Sequence, residues 1–396
     1  MTPEIPYGRH WLDEEEIAEV SRTLRSDWIT QGPRIEEFER RVASSRGARF
    51  GVAFSNGTAA LHAACSAAGV RAGDEVITSP LTFVGTANAA VYQGAKPVFA
   101  DIDPASLNLD PWEVRGRLTS KTKAILPVHF AGLPADMEAL SKIAREKGLY
   151  VIEDACHALG AEWLDSNGAW QKTGNCSHSD MVVFSFHPVK QITTGEGGMV
   201  LTNREELANR LRTFRHHGLR RPEGEIAAAE PWRYEMDELG HNYRITDFQC
   251  ALGLKQMEKL DRFLERRRRI ADLYAQAFKG RDLTPQGFNR ERFRHAWHLY
   301  VVQLGAGTGP AGRRAVYEAL HQSGIGVNVH YLPVHLHPFY RRIFSYRPGD
   351  YPAAEGYYER TLTLPLFPKM TDEQVQRVIQ SVCRVLETEG ASHAAR

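Results

Sequence analysis

Phe184-Ser185-Phe186-His187-Pro188-Val189-Lys190-Gln191-Ile192-Thr193-Thr194-Gly195-Glu196-Gly197-Gly198 sets one lysine after an apolar run and ahead of a glycine-rich turn. Upstream, Tyr150-Val151-Ile152-Glu153-Asp154-Ala155-Cys156-His157-Ala158-Leu159-Gly160 carries an acidic pair at the end of a second apolar run. Short continuous runs of this kind read as strands covered on both faces, the pattern of a parallel sheet.

Working outward, the rhythm repeats. Asp13, with Glu16 three residues on, opens an amphipathic helix to about Arg25, and a second helix runs from Pro33 to Ser45. Strands are expected at Gly51–Phe54, Glu75–Thr78, Pro97–Ala100, Ala124–Val128, Tyr150–Ile152, Met181–Phe186 and Met199–Thr202. Helices fall between them at Thr58–Gly69, Phe83–Tyr92 and Pro134–Lys147, with no long helix between the last two strands. This predicts an α/β fold with a mostly parallel central sheet covered by helices. A long helical pattern from Thr246 to Phe278 reads as the link to a smaller α/β domain, dividing the chain into residues 1–245 and 246–396. That second domain is expected to hold strands at His298–Gln303 and Gly326–His330, and helices at Ala311–Ser323 and Thr371–Glu387. Leu219–Trp232 reads as a mobile surface loop, and the tail from Glu389 as frayed.

With 396 residues, 42% of them hydrophobic, the chain can bury a large core. Lys+Arg 49 against Asp+Glu 48 leaves a net charge of +1, which asks for neither nucleic acid nor an anionic membrane. No apolar run reaches the ~20 residues of a membrane helix. The five cysteines have no CxxC spacing, and no signal peptide is visible, so a reducing, cytoplasmic setting is expected.

An amine after one strand and a carboxylate at the end of another suit pyridoxal 5′-phosphate. Its aldehyde needs an amine to form a Schiff base, and its ring nitrogen needs a carboxylate to stay protonated. Lys190 is the candidate amine and, once freed, a proton carrier; Asp154 is the candidate ring-nitrogen partner. Taken singly they would be a surface lysine and a helix N-cap, but 36 residues apart (190 − 154) on successive strand ends they support each other. In Ser55-Asn56-Gly57-Thr58-Ala59-Ala60, the small residues Gly57, Thr58 and Ala59 would let free N–H groups reach a phosphate, and Ser185 could add a hydroxyl. Phe83 could stack on the ring, although core packing is the simpler reading from the residues alone. His157 could hydrogen-bond the ring's phenolic oxygen, or be an ordinary structural histidine. Val327–His337 carries three histidines, yet Pro333 breaks any helix and no cysteine or carboxylate completes a set, so no metal is expected there. Arg266-Arg267-Arg268-Arg269 reads as a solvated helix face.

Together with Asp27-Trp28-Ile29-Thr30-Gln31-Gly32-Pro33, Asn56–His62, Leu239–Asp247 and Leu364-Pro365-Leu366-Phe367-Pro368, these segments resemble the sugar-nucleotide aminotransferases of the DegT/DnrJ/EryC1/StrS family, in the aspartate-aminotransferase fold (fold type I). The resemblance implies Lys190 on the cofactor aldehyde, Asp154 at the ring nitrogen, Phe83 against the ring and His157 beside it. It places Gly57, Thr58, Ala59 and Ser185 at the phosphate. It also implies a homodimer with shared active sites, Asn242 reaching the neighbouring subunit's phosphate. Lysine rather than histidine at 190 sets the chain apart from the family's dehydratases. The resemblance is strongest to the branch acting on UDP-linked 4-keto-hexosamines, including the transaminases of pseudaminic acid biosynthesis that serve flagellin glycosylation. L-glutamate is then the donor and a UDP-linked 4-keto sugar the acceptor, with Tyr7, Arg9, Thr30, His330 and Tyr331 as candidate acceptor contacts. Gly195 and Cys156 depart from the family pattern. A UDP-4-keto-pentose or dTDP-4-keto-6-deoxyhexose acceptor stays open, as does a non-catalytic regulator that binds the cofactor as a ligand.

Overall fold

The computed structural model describes residues 4–394 apart from 222–223, 225–228 and 306. Asp13 caps α1 (Glu14–Leu24), and the Glu16 carboxylate accepts the Asp13 N–H in return, completing a capping box. Pro33 in the first turn and Gly47 in left-handed conformation (φ 88°) bound α2 (Pro33–Arg46).

Seven strands follow: β1 (Phe50–Phe54), β2 (Glu75–Thr78), β3 (Lys96–Phe99), β4 (Thr122–Leu126), β5 (Tyr150–Asp154), β6 (Met181–Ser185) and β7 (Gly198–Thr202). They form one sheet in the order β1-β7-β6-β5-β4-β2-β3. β2 to β6 pair in parallel, while β7 runs antiparallel to both β6 and β1. The reversal follows from the connection: no helix separates β6 from β7, and a short link returns the chain only antiparallel. The sheet is covered on both faces. On one, α3 (Gly57–Ala67) lays Ala59, Ala60, Ala63 and Ala64 on Val183 and Val200, small side chains that let the helix approach closely. On the other, Phe38 and Val42 of α2 pack with Phe184 and Phe186. α4 (Val84–Tyr92) lies beside α3 and starts at Phe83.

The expected single helix from Thr246 to Phe278 is two, α5 (Asp247–Glu258) and α6 (Leu260–Ala277), broken at Lys259 (φ −101°, ψ −2°). The break lets each half meet a different core. α5 packs on α1 and α2, and Lys259 Nζ is tied to Asp13 (2.5 Å) and Glu16 (2.7 Å). α6 turns Ile270, Ala271 and Tyr274 into a second cluster with Tyr300, Val302, Leu362 and Leu364. That cluster lies on a three-stranded antiparallel sheet, β8 (Leu283–Pro285), β9 (Tyr300–Leu304) and β10 (Thr361–Leu364), joined by α7 (Gly309–Gln322) and α8 (Asp372–Ala394). Ile5 joins the same cluster, its N–H donating to Gly324 O (3.1 Å) and its carbonyl accepting from Gly326 N–H (2.7 Å).

Four further expectations are corrected. Gly326–His330 is not a strand: Asn328 alone bridges Thr363, and its side chain accepts the Val329 N–H (2.8 Å), which ends the ladder. The four arginines are not one solvated face: Arg267 is 1% exposed, because i±3, i±4 spacing puts it on the side of Phe263, Ile270 and Ala271. The helix α8 continues past Glu389 to Ala394. Within the loop expected from Leu219 to Trp232, Leu219–Arg220 pairs antiparallel with Glu235–Met236, and residues 222–223 and 225–228 lie outside the described ones.

Asp247 ties distant segments. Fully buried at the start of α5, it accepts the N–H groups of Gly32 (2.8 Å) and Arg34 (3.0 Å) and so caps α2. Asp247→Ala leaves two N–H groups without an acceptor and should cost about 2 kcal/mol; an unchanged midpoint in urea denaturation would exclude this. His295 makes a second prediction. Its ring stacks on Trp297 (4.0 Å, 9°), Nδ1 accepts the Trp297 N–H (2.7 Å), and the Nε2 proton goes to Gln286 Oε1 (3.0 Å). Burial pushes its pKa down to about 3. The unfolded chain takes up a proton below about pH 6.5 and the folded one does not. This contribution is therefore complete above that pH and lost as pH falls towards 3, by up to about 1.4 kcal/mol per pH unit. His295→Gln should lose less stability than the parent between about pH 7.5 and 5.5; equal losses would exclude the assignment.

Candidate active site

The functional cavity, about 760 Å³, opens at the carboxyl ends of β5 and β6, where parallel sheets place their ligand sites. Register builds its floor: Glu153 pairs with Val182 and Asp154 with Val183. Strand alternation sends neighbouring side chains to opposite faces. Glu153 turns away to His129 Nε2 (2.7 Å) and Ser179 Oγ (2.5 Å). Asp154 faces the cavity, its Oδ2 accepting from Thr86 O–H (2.6 Å) and its Oδ1 from Cys156 N–H (3.1 Å). Because the Thr86 proton goes to the carboxylate, the Thr86 oxygen accepts from Thr82 (2.7 Å). Asp154 is thus held by two donors and needs no cation to fix its orientation.

Lys190 reaches the same cavity from the turn after β6, where its own N–H donates to His187 O (2.9 Å). Burial lowers its pKa; Cys156 and Asp154 oppose the shift and Arg267 adds to it. The free amine is therefore more accessible near neutral pH than on a surface lysine.

α3 points its N-terminus into the cavity. Asn56 Oδ1 takes the Ala59 N–H (2.8 Å), and helix geometry leaves the N–H groups of Gly57 and Thr58 without intrahelical acceptors. A Cβ at Gly57 would lie 2.9 Å from Ser185 Cβ, and one at Gly198 2.4 Å from Asn56 O. Glycine at both positions lets helix start and strand end close together with their backbone donors open to an anion.

Three buried imidazoles stand on the remaining walls, with the exposed His187 at the rim. The rings of His157 and His298 lie 4.3 Å apart, and the Nδ1 of each has no partner among the described residues. His157 Nε2 meets Tyr331 OH (3.2 Å), and His330 Nδ1 meets Thr363 Oγ1 (2.8 Å). Burial, with Lys190 nearby, holds His157 and His298 well below the usual imidazole range and lowers His330 to about 3. All three are neutral at pH 7. Burial also raises the Tyr331 phenol, so it keeps its proton.

Gly57, Thr58, Ala59, Phe83, Asp154, His157, Ser185 and Lys190 all line this cavity, as do Tyr7, His330 and Tyr331. Phe83 is 55% exposed, so it is not a core residue; at the start of α4 it offers its ring to the cavity. Arg9 is not on the wall: it lines a crevice behind the Lys190 segment with Trp11, Pro188 and Gln191. Thr30 is exposed and bridged to Thr246, away from the cavity, because it precedes the capped start of α2. Asn242 is exposed and bridged to His216, outside its own chain's cavity. Of the three C-terminal histidines only His330 lines the cavity; His335 pairs with Glu355 (2.9 Å), and no metal-holding cluster exists among the described residues. Thr82, Thr86, Tyr243 and His298 also line the site, and sequence reasoning misses them; only the Thr82/Thr86 spacing, one helical turn, carries a local signal.

The donor set fits pyridoxal phosphate. The helix start suits a phosphate, Asp154 a protonated ring nitrogen, the unpartnered His157 Nδ1 a ring oxygen, Phe83 a ring face and Lys190 an aldehyde. A second cleft of about 850 Å³ along α2 and β1, rimmed by Arg40, Arg49 and Arg212, contains no lysine.

Comparison with known proteins agrees with this geometry. The chain is 42% identical to spore coat polysaccharide biosynthesis protein SpsC of Bacillus subtilis over 380 residues, 96% of each chain. Helicobacter pylori PseC, an aminotransferase involved in pseudaminic acid biosynthesis, superposes with a TM-score of 0.89 at 31% identity, covering 97% of this chain and 100% of that one. A proposed sugar aminotransferase of Streptococcus pneumoniae in its pyridoxal-phosphate form superposes with a TM-score of 0.90 at 30% identity, covering 97% and 99%. The carboxylate, the amine and the helix start thus sit in an aspartate-aminotransferase-like fold, and since residues 10–383 match its family, the chain belongs to the DegT/DnrJ/EryC1/StrS aminotransferases, which use pyridoxal phosphate.

Proposed function

We propose that this aminotransferase moves the amino group of L-glutamate to C4 of a UDP-4-keto-6-deoxy-N-acetylhexosamine, as in pseudaminic acid or a related surface sugar. The observation that carries the catalytic part is Lys190, partly buried in a cavity whose floor is Asp154. The likeness to PseC and the Tyr7, His330 and Tyr331 wall support the acceptor.

Pyridoxal phosphate, when bound, supplies an electrophilic carbon and a ring that withdraws electrons from the substrate carbon. Gly57, Thr58, Ala59 and Ser185 would anchor its phosphate, and Asp154, oriented by Thr86 and the Cys156 N–H, would hold the proton on its ring nitrogen. Phe83 and His157 would confine the ring from either side. Lys190 would hold the cofactor through its aldehyde and, as a free amine, would carry a proton off the donor carbon and later return one to C4 of the acceptor. Lowered basicity suits both tasks, since the amine must accept and release a proton near neutral pH.

Asn242, lying outside its own chain's cavity, would complete the phosphate site of a second subunit, making the working unit a homodimer. In the proposed division at residue 246, the strand-like start around Ile5 belongs with the C-terminal unit. The 42% identity to SpsC favours a second reading, the same chemistry on another nucleotide-linked keto sugar.

Borohydride reduction should fix cofactor to the Lys190 peptide of the parent and to no peptide of a folded Lys190→Ala variant; cofactor fixed to another lysine in the parent would exclude the assignment. Asp154→Asn should bind cofactor and lose about 10²-fold or more in kcat; a near-normal kcat would remove Asp154 from the mechanism. For the acceptor, protein pre-converted with glutamate is mixed with the UDP-4-keto sugar as either C5 epimer. Rapid return of visible absorbance with the inverted (L-arabino) epimer alone supports the pseudaminic reading. Preference for the other epimer, or response to neither, moves the chain to another nucleotide sugar.

A further inference from the structure

Arg267 is a charged side chain in a place that penalises charge. It is 1% exposed, the largest fully buried side chain of the described residues, and no carboxylate among them pairs with it. Its guanidinium is spread instead over backbone carbonyls. One terminal nitrogen donates to Trp297 O (3.1 Å), His298 O (3.3 Å) and Leu366 O (3.0 Å). The other donates to Val189 O (3.4 Å) and Lys190 O (3.3 Å), while Nε is buried without a partner. Desolvation lowers its pKa to about 9, so it remains a cation at neutral pH. An unpaired buried cation costs several kcal/mol, and a leucine would fill the same helix face without that cost. A structural tie between α6 and the carbonyls of residues 297, 298 and 366 does not require a hold on Lys190 as well.

We propose that Arg267 is the positioning residue of Lys190: its fork holds the carbonyls of Val189 and Lys190 against the segment that carries His298. The same cation opposes protonation of the Lys190 amine. The groups facing Lys190 on every side are few. Asp154 and Cys156 stand at the end of β5 and favour the ammonium; Arg267 on α6 opposes it. His157, His298 and His330 are uncharged and cannot substitute for it. His187, next in the same turn, faces Glu196 as well as Lys190. Among the described residues Arg267 is therefore the cation that opposes the Lys190 ammonium, and α6, which carries it, contributes no residue to the cavity wall.

This inference rests on Lys190 being the amine of the proposed function, and the two fail separately. Borohydride reduction of cofactor-loaded parent protein must attach cofactor to the Lys190 peptide; if it does not, the functional reading falls before Arg267 is tested. The test itself uses apoenzyme. Reductive methylation by formaldehyde is followed across a pH series, with the Lys190 peptide quantified by mass spectrometry, for the parent, Arg267→Met and Arg267→Lys. Removing the charge in Arg267→Met should raise the pH of half-maximal labelling by about one unit, a ten-fold lower labelling rate at neutral pH. An unmoved midpoint in folded protein, judged by thermal melting, would reduce Arg267 to a structural tie. Arg267→Lys keeps the charge and loses the fork, so it tests the positioning role even if Arg267→Met fails to fold. Its labelling midpoint should match the parent's while kcat falls about ten-fold or more with KM for both substrates unchanged. Parent-like kcat in Arg267→Lys would overturn the positioning role.

Discussion

Everything in the cavity depends on how β5 and β6 end. Pairing Asp154 with Val183 brings the carboxylate to the last rung of the parallel ladder, and the chain after Val183 then runs past it as Phe184, Ser185 and the Lys190 turn. A slip of one residue would exchange Asp154 for Glu153, whose carboxylate now serves His129 and Ser179 on the opposite face. The slip is resisted by burial: Met181, Val182, Val183 and Phe184 are all fully buried, with alternate side chains committed to separate clusters under α3 and α2. Reversing any of them would drive each into the wrong cluster, at a cost set by packed apolar area and not by the site itself. The chemistry therefore inherits its precision from a core that takes no part in it.

Electrostatics divides the work in the same way. Around Asp154 and Lys190 the cavity gathers three buried imidazoles, with Glu196 and His187 nearer its mouth, and burial would discharge the innermost groups if nothing intervened. The imidazoles are discharged: His157, His298 and His330 are neutral, so they shape walls and offer nitrogens without competing for the amine's proton. Asp154 keeps two donors, Thr86 and the Cys156 N–H, that do not depend on a cation. A carboxylate satisfied by fixed dipoles keeps its direction whether or not the neighbouring lysine is charged.

The main elements were legible because their signals are local. Glu75–Thr78 reads as a strand from four residues, and the Asp13/Glu16 box starts a helix at the residue it announces. The Lys190 and Asp154 pairing was legible because both lie on strand ends in the alternating pattern. What escaped depends on distance. The break at Lys259 is invisible in a continuous helical pattern; it arises because the two halves meet different cores and because Lys259 finds Asp13 and Glu16, far away along the chain. Arg267 looked solvated among four arginines until the opposite face of α6 was buried. Thr86 donates to a carboxylate 68 residues away, a contact no spacing announces. Phe83 shows the converse: a local preference for the core was overridden because the start of α4 opens into a cavity. Arg9, assigned to the acceptor by resemblance, lies outside the cavity because the N-terminal segment passes behind the Lys190 turn before α1 begins, and Thr30 lies outside it because the link between α1 and α2 is bridged to Thr246.

The walls also differ in what holds them. Asp154, Ser185 and the start of α3 belong to the central sheet and its helix, where regular hydrogen bonding leaves little freedom. Tyr331 and His330 lie on an irregular segment anchored by side chains: His330 to Thr363 of β10, Tyr357 O–H to the His330 carbonyl (3.0 Å), Tyr331 to His157. Tyr7 enters from the N-terminus, its carbonyl taking the Leu366 N–H (3.1 Å) and its ring lying 5.3 Å from His330. Substitutions on this second wall can alter its shape without disturbing a ladder or a helix, whereas the first wall admits almost none. A fold arranged this way can reshape the wall of Tyr7, His330 and Tyr331 while Asp154 and Lys190 stay in place.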